Sequence, residues 1–377
     1  MKLYLAPQPS LELTRYLRST GGDEGLTGTL MRKRVIHDAI NTVNAIEEMD
    51  ETAHRWLEHV GTPIHAMVAD RAKGTSTKRL VTHVHSAPMP HGAMLDLGHD
   101  LCICSPRYTF LLSAADLDLI DSVSLAMELC GTYSKWKLGD APSLYGPYQG
   151  SADAVGCTFG LPKAMSLRLV HPFIERQRGQ RGAVGARAAL RWVLEGSASP
   201  METAVYLLLC LPKRLGGYGL PKPILNPKLV ISNPNGNKVR FPDLFWPERS
   251  IDVEYNSDAT HSGEWSRYRD SKREVELTVG EIKVLPLTRA QLMSAEDFDA
   301  FANGLRRMLG KLDVLQRLAD EGTVERSGLA ASLNSFLGVL SHYDCHDLRM
   351  RMFLDDHDFS AYGCFDTGLR HFLPGAG

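Results

Sequence analysis

Two acids flank a tight turn in Lys238-Val239-Arg240-Phe241-Pro242-Asp243-Leu244-Phe245, Trp246-Pro247-Glu248-Arg249 and Ser250-Ile251-Asp252-Val253-Glu254-Tyr255-Asn256. Two β-rich runs around a Pro-containing turn read as a hairpin. If the turn is symmetric about the 248/249 bond, Asp243 lies across from Glu254 and Phe241 across from Asn256. Alternation then places Asp243, Glu254 and Asn256 on one face. Leu244, Ile251 and Val253 take the other, toward a core. Like charges directly opposed across a hairpin are destabilising. Either one carboxylate turns to solvent or an arginine, or a divalent cation sits between the two. Mg²⁺ suits the second case, because it takes oxygen ligands and is held by one or two carboxylates plus water and phosphate. Such an ion polarises a phosphoryl oxygen and activates water.

Further candidates surround this pair. Ser199-Pro200-Met201-Glu202 opens an apolar helix over 203–211, where Glu202 either closes a capping box or supplies a third carboxylate. His261 follows Glu254 in a polar loop, as a proton-transfer group near neutral pH or as a surface residue. A helix from Glu264 to about Val279 places Arg269 and Arg273 on one side, for phosphate or for nearby acids. A strand from Ile282 to Leu287 leads to Thr288-Arg289.

These groups need a scaffold, and the rest of the chain supplies one. Residues 8–60 read as helical, with Ile36, Ala39, Ile40, Val43 and Ile46 at helical spacing. Val81 to Val84, Met94 to Leu97 and Leu101 to Cys104 read as strands, and 105–130 as helix with Pro106 at its first position. Residues 134–162 are rich in Gly, Pro and Ser and read as a linker. The helical stretch 163–193 carries Lys163, Arg168, Arg176, Arg178, Arg181, Arg187 and Arg191 against the single acid Glu175. That charge is either solvated surface or a phosphate-binding face, whose affinity would fall with salt. Phe298, Phe301, Leu305, Met308, Leu312, Leu315 and Leu318 mark an amphipathic helix within 296–340.

Composition sets outer limits. The 377 residues are 44% hydrophobic and 23% charged, which excludes collagen-like, coiled-coil and wholly disordered classes. A net charge of −2 advertises no polyanion globally, so any such site must be local. The longest apolar run, 204–211, is far short of the roughly 20 residues a membrane span needs. Seven scattered cysteines without a Cys-x-x-Cys pair read as reduced thiols of a cytoplasmic protein. His342-Tyr343-Asp344-Cys345-His346 lacks a partner pair at zinc spacing.

The order helix with Glu202, hairpin with Asp243 and Glu254, His261, helix with Asp270-Ser271-Lys272-Arg273, strand, Arg289 resembles the very-short-patch-repair endonuclease-like family. That family is a branch of the restriction-endonuclease-like, PD-(D/E)xK fold. The carrying segments are Phe241-Pro242-Asp243-Leu244-Phe245-Trp246-Pro247-Glu248 and Val253-Glu254-Tyr255-Asn256-Ser257-Asp258. The resemblance implies an α/β protein with a mixed sheet flanked by helices, and metal-dependent hydrolysis of DNA phosphodiesters. It implies Mg²⁺ or Mn²⁺ on Asp243 and Glu254, Glu202 as an auxiliary acid, and Asn256 and His261 beside them. Asn256 stands where the family carries Asp, or the wider fold Lys; an amide holds a water but is not a charged base. Double-stranded DNA is the expected partner, contacted by Arg176, Arg178, Arg181, Arg187, Arg269, Arg273 and Arg289.

The segment from His83-Val84-His85 through Cys102-Ile103-Cys104-Ser105-Pro106-Arg107 is similar to the body domain of AbiEi-type antitoxins. This suggests an alternative, a catalytically impaired regulatory protein that binds nucleic acid. The expected organisation is an α+β domain over 1–140 and a linker with the basic helices over 141–195. A nuclease-like domain over 196–292 follows, then C-terminal helices and tail over 293–377, whose 296–340 helices could engage a protein partner.

Overall fold

The computed structural model describes residues 1–20, 26–32, 35–137, 155–231, 237–256 and 282–310. It is a mixed α/β chain whose strands form several small sheets. The fold divides into two compact units, Met1–Ser199 and Pro200–Gly377. Among the described residues, no helix is long and apolar enough to cross a membrane.

In the first unit, β1 (Leu3–Tyr4), β2 (Thr29–Leu30), β5 (Met94–Asp96) and β6 (Leu101–Cys104) form one sheet in the order β1-β6-β5-β2. β3 (Ile64–Val68) and β4 (Leu80–Val84) pair in parallel. Helix α1 (Pro7–Thr20) turns Leu13 into a core with Leu3, Leu5, Ala66, Leu80, Leu101 and Ile103. The expected strands near 81–84, 94–97 and 101–104 are therefore present as β4, β5 and β6. Ser105 and Pro106 open α4 (Pro106–Ser113), followed by α5 (Leu119–Cys130), capped by Asp118.

Two expectations fail in this unit. The apolar spacing from Ile36 to Ile46 does not make one helix. Ala39 instead bridges Lys2, and the Tyr4 hydroxyl donates to Asp38 at 2.9 Å, so 36–41 docks beside β1. Thr42 then caps a new helix α2 (Val43–Glu47), followed by α3 (Glu51–Leu57). The stretch 134–162 is not simply a linker either. β7 (Tyr133–Lys137) and β8 (Val155–Phe159) pair antiparallel from Tyr133↔Phe159 to Lys137↔Val155. The expected Gly/Pro/Ser segment between them lies outside the described residues.

The basic helices α6 (Leu167–Glu175) and α7 (Ala183–Leu190) belong to the same unit and pack on α4 and α5. Contact with α4 demands glycine: a Cβ on Gly182 would lie 1.8 Å from the Leu111 carbonyl oxygen, and its φ is +85°. A buried ion pair fixes α1 to α5. Arg15 donates to both carboxylate oxygens of Glu128 at 2.8 and 2.6 Å, and Glu128 is fully buried. Arg18 is also buried and donates to the carbonyls of Glu128, Gly131 and Pro162. Cys102, Cys104, Cys130 and Cys210 are buried free thiols, and burial pushes the first three up to about 12. Cys157 is partly exposed, and Cys345 and Cys364 lie outside the described residues.

The second unit opens with α8 (Pro200–Cys210), apolar almost all round and buried along its length. It packs on a four-stranded mixed sheet of β9 (Ile224–Leu225), β12 (Leu244–Trp246), β13 (Ile251–Asn256) and β14 (Lys283–Thr288). The order is β14-β13-β12-β9. β12 is antiparallel to β9 and β13, whereas β13 and β14 are parallel. Pro286 is exposed on β14, which borders the sheet among the described residues, and its missing N–H costs no bond to β13. A separate ribbon of β10 (Leu229–Ile231) and β11 (Lys238–Arg240) pairs antiparallel. After β14, Thr288 and Gln291 form a capping box on α9 (Arg289–Met293). α10 (Ala295–Leu309) turns Phe298, Ala302, Leu305 and Leu309 inward. Residues 311–340 of the expected amphipathic stretch lie outside the described residues.

Candidate carboxylate site

The turn that brings the acids together is built from Pro247–Arg249, a single 3₁₀ turn closed by Ser250 at φ +49°. Trp246 anchors its start, donating its indole N–H to the Pro221 carbonyl at 2.8 Å. The ladder runs Leu244↔Val253, Phe245↔Asp252 and Trp246↔Ile251. This is the expected symmetric register, and Asp243 lies one position before the start of β12. Leu244, Ile251 and Val253 are buried on the opposite face, as expected.

The first arm is not one strand. It breaks at Phe241-Pro242-Asp243, and β11 pairs with β10 instead of β13. Phe241 therefore does not pair with Asn256 in the ladder. Proline has no N–H to donate and restricts the residue before it. The Asp243 carboxylate takes over at the break, its Oδ2 accepting the Tyr255 backbone N–H at 2.9 Å.

Asn226 organises the other side. Its backbone N–H donates to the Asp243 carbonyl at 3.2 Å, and its side-chain amide donates to Glu202 Oε2 at 2.6 Å. It sits at φ +47°, a conformation that asparagine tolerates better than most residues. Glu202, in the first turn of α8, is thus connected through one side chain to the backbone of Asp243. Glu202 and Glu254 are each 7% exposed, and Asp243 is half-buried.

Strand alternation adds an acid that the sequence reading missed. Asp252 is opposite Phe245 and two residues before Glu254, so Asp252, Glu254 and Asn256 share one face of β13. Asp252 is completely buried. Its signal in the sequence is the two-residue spacing from Glu254 within one strand.

Asn256 ends β13, opposite Thr288 of β14, so Arg289 begins α9 at the same end of the sheet. His261, Arg269, Lys272 and Arg273 lie outside the described residues. In the first unit, Arg176 and Arg178 are exposed, as is Arg168. None of these three makes an ion pair among the described residues. Arg181 is tied to Asp116, and Arg187 is half-buried, with one guanidinium nitrogen fully enclosed.

The donor set can be compared with the ion the resemblance implies. No group of three or more His, Cys, Asp or Glu side chains among the described residues is arranged to hold a metal. Asp243 and Glu254 are oxygen donors, a type that suits Mg²⁺ or Mn²⁺ and not a thiolate- or imidazole-seeking metal. No family model, no curated protein and no solved structure matches this chain.

Proposed function

We propose that the second unit is a divalent-cation-dependent nuclease core of the restriction-endonuclease-like type, acting on DNA phosphodiesters. The observation that carries the reading is the link from Glu202 through Asn226 to the backbone of Asp243, next to the symmetric β12–β13 register that leads to Glu254. The order of a helix, an antiparallel hairpin and a parallel neighbouring strand supports it.

Asp243 and Glu254 would hold Mg²⁺ or Mn²⁺, which when bound would polarise a phosphoryl oxygen. The chain's own contribution is to hold those oxygens in place. The Tyr255 N–H fixes the Asp243 carboxylate, and Asn226 ties Glu202 to the same segment. Asn256 offers an amide that can hydrogen-bond a water. Arg289, at the same sheet end, would meet developing negative charge on the phosphate. Incubation of the purified protein with plasmid DNA and Mg²⁺ or Mn²⁺ tests this. Cutting is expected, and Asp243→Ala and Glu254→Ala should each abolish it. Absence of cleavage of any DNA or RNA form, with no heat on cation titration, overturns the reading.

A second reading rests on Asn256. An uncharged amide two residues after Glu254 suits a protein that binds nucleic acid without cutting it. DNA binding that survives Asp243→Ala, with no hydrolysis under any cation, would select this alternative.

A further inference from the structure

Two arginines of the first unit are held side by side. Arg107, in the first turn of α4, is half-buried and occupies a shaped seat. Its Nη2 donates to the Gly92 carbonyl at 3.3 Å, and its guanidinium carbon lies 4.7 Å from the centre of the Phe173 ring. Gly92 makes room for it. A Cβ there would lie 2.0 Å from Nη2, and the glycine φ is +72°. The Ser105 hydroxyl donates to the same carbonyl at 2.8 Å instead of capping α4.

Phe173 belongs to α6, and Arg176 follows it by three residues on the same side of the helix. Glu175, two residues from Phe173, falls on the far side. Burial, and next the Arg176 charge, hold Arg107 below the usual arginine range. Neither arginine makes an ion pair among the described residues. Packing fixes their approach. Gln180, in the loop between α6 and α7, donates to the Tyr108 hydroxyl at 3.4 Å. The Tyr108 and Phe173 rings meet edge to face, 6.5 Å apart at their centres. The fold thus keeps two like charges together at a cost that a bound anion would reverse.

We propose that Arg107 and Arg176 form a binding site for a phosphate group, either inorganic phosphate or a phosphomonoester. The charge selects the class. Two guanidinium groups balance a phosphomonoester, which carries about −1.5 to −2 at pH 7, whereas a carboxylate or a backbone phosphodiester carries a single charge. Planar guanidinium forks also match phosphate oxygens in pairs. Of the five N–H donors of Arg107, the Gly92 carbonyl takes one. The inference rests on the first unit alone and stands whether or not the second unit cuts DNA.

Titration calorimetry of the full chain with inorganic phosphate at about pH 7.5, with ionic strength held constant by chloride, tests the site. One phosphate should bind per chain. Arg107→Gln and Arg176→Gln should each weaken binding about tenfold or more, as loss of a charge-assisted hydrogen bond does. Arg168→Gln, about two turns away along α6, should leave affinity unchanged. Circular dichroism and thermal melting check the folding of each variant. Arg176 is exposed, so its variant keeps the test decisive even where Arg107→Gln fails to fold.

A short DNA strand with and without a 5′-phosphate separates the sources. Tighter binding of the phosphorylated strand, lost in Arg176→Gln, assigns the site to strand ends. Equal binding of the two strands, with inorganic phosphate still bound, assigns it to a small phosphorylated molecule. Either outcome upholds the site. No heat with phosphate together with no preference for the phosphorylated strand overturns it. So does full affinity in folded Arg176→Gln, an equal loss in Arg168→Gln, or acetate binding as tightly as phosphate.

Discussion

Asn226 bears the greatest positional demand in the carboxylate site. Its backbone holds Asp243, its amide holds Glu202, and its φ is positive. Asn226→Ala should lower cleavage roughly 10- to 100-fold, the range for residues that orient ligating groups. Asn226→Gly separates the two duties, because glycine accepts the backbone conformation but lacks the amide. It should restore thermal stability without restoring activity; recovery of both would show that only the backbone matters. Little of this was legible in the sequence. Asp243 and Glu254 stood out because a symmetric turn opposes them, whereas Asn226 is separated from Asp243 in sequence and announces nothing by type. Asp252 was legible in principle from simple alternation.

At the scale of elements, patterns that were strictly local survived and those open to competition did not. The β12–β13 register followed from the turn, and α4 began where Ser105-Pro106 placed it. The spacing of Ile36 to Ile46 suits a helix equally well, but burial beside β1 overrides that periodicity. The Gly/Pro/Ser-rich composition near 134–162 masked the pairing of Tyr133–Lys137 with Val155–Phe159, whose partners are too distant for local pattern to show. The α4–α7 contact is likewise invisible in sequence, yet it makes a sharp prediction. Gly182→Ala should destabilise the first unit by about 3 kcal/mol, through both the steric clash and the positive φ. Urea unfolding of the two proteins measures it, and a loss under about 1 kcal/mol would show that the helices slide apart at little cost.

For the molecule as a whole, titratable groups withdrawn from water tie stability to pH. Partial burial lowers His85 below its ordinary 6.5. A depressed histidine leaves the native state with fewer bound protons than the unfolded chain. Its stabilisation is therefore complete above 6.5 and is lost as pH falls through that value. Glu128 adds a second, more acidic window. Its own burial would raise it, but the charge and hydrogen bonds of Arg15, helped by Lys135, hold it below 4.5. That contribution is present above 4.5 and disappears as pH falls through the native value. Thermal melts from pH 7.5 to 3.5 at fixed ionic strength should show Tm declining in two stages. His85→Gln should remove much of the first and leave the second; a single acidic transition in wild type would contradict the assignment.

Among the described residues β14 borders the sheet, and that position has one more consequence. Pro286 interrupts its row of amide donors, and exposed Lys283 places a charge on the same strand. An extended segment from a neighbouring molecule could not zip continuously onto that border. Among the described strands that border is thereby a poor template for runaway polymerisation, while the interior strands carry the acidic groups.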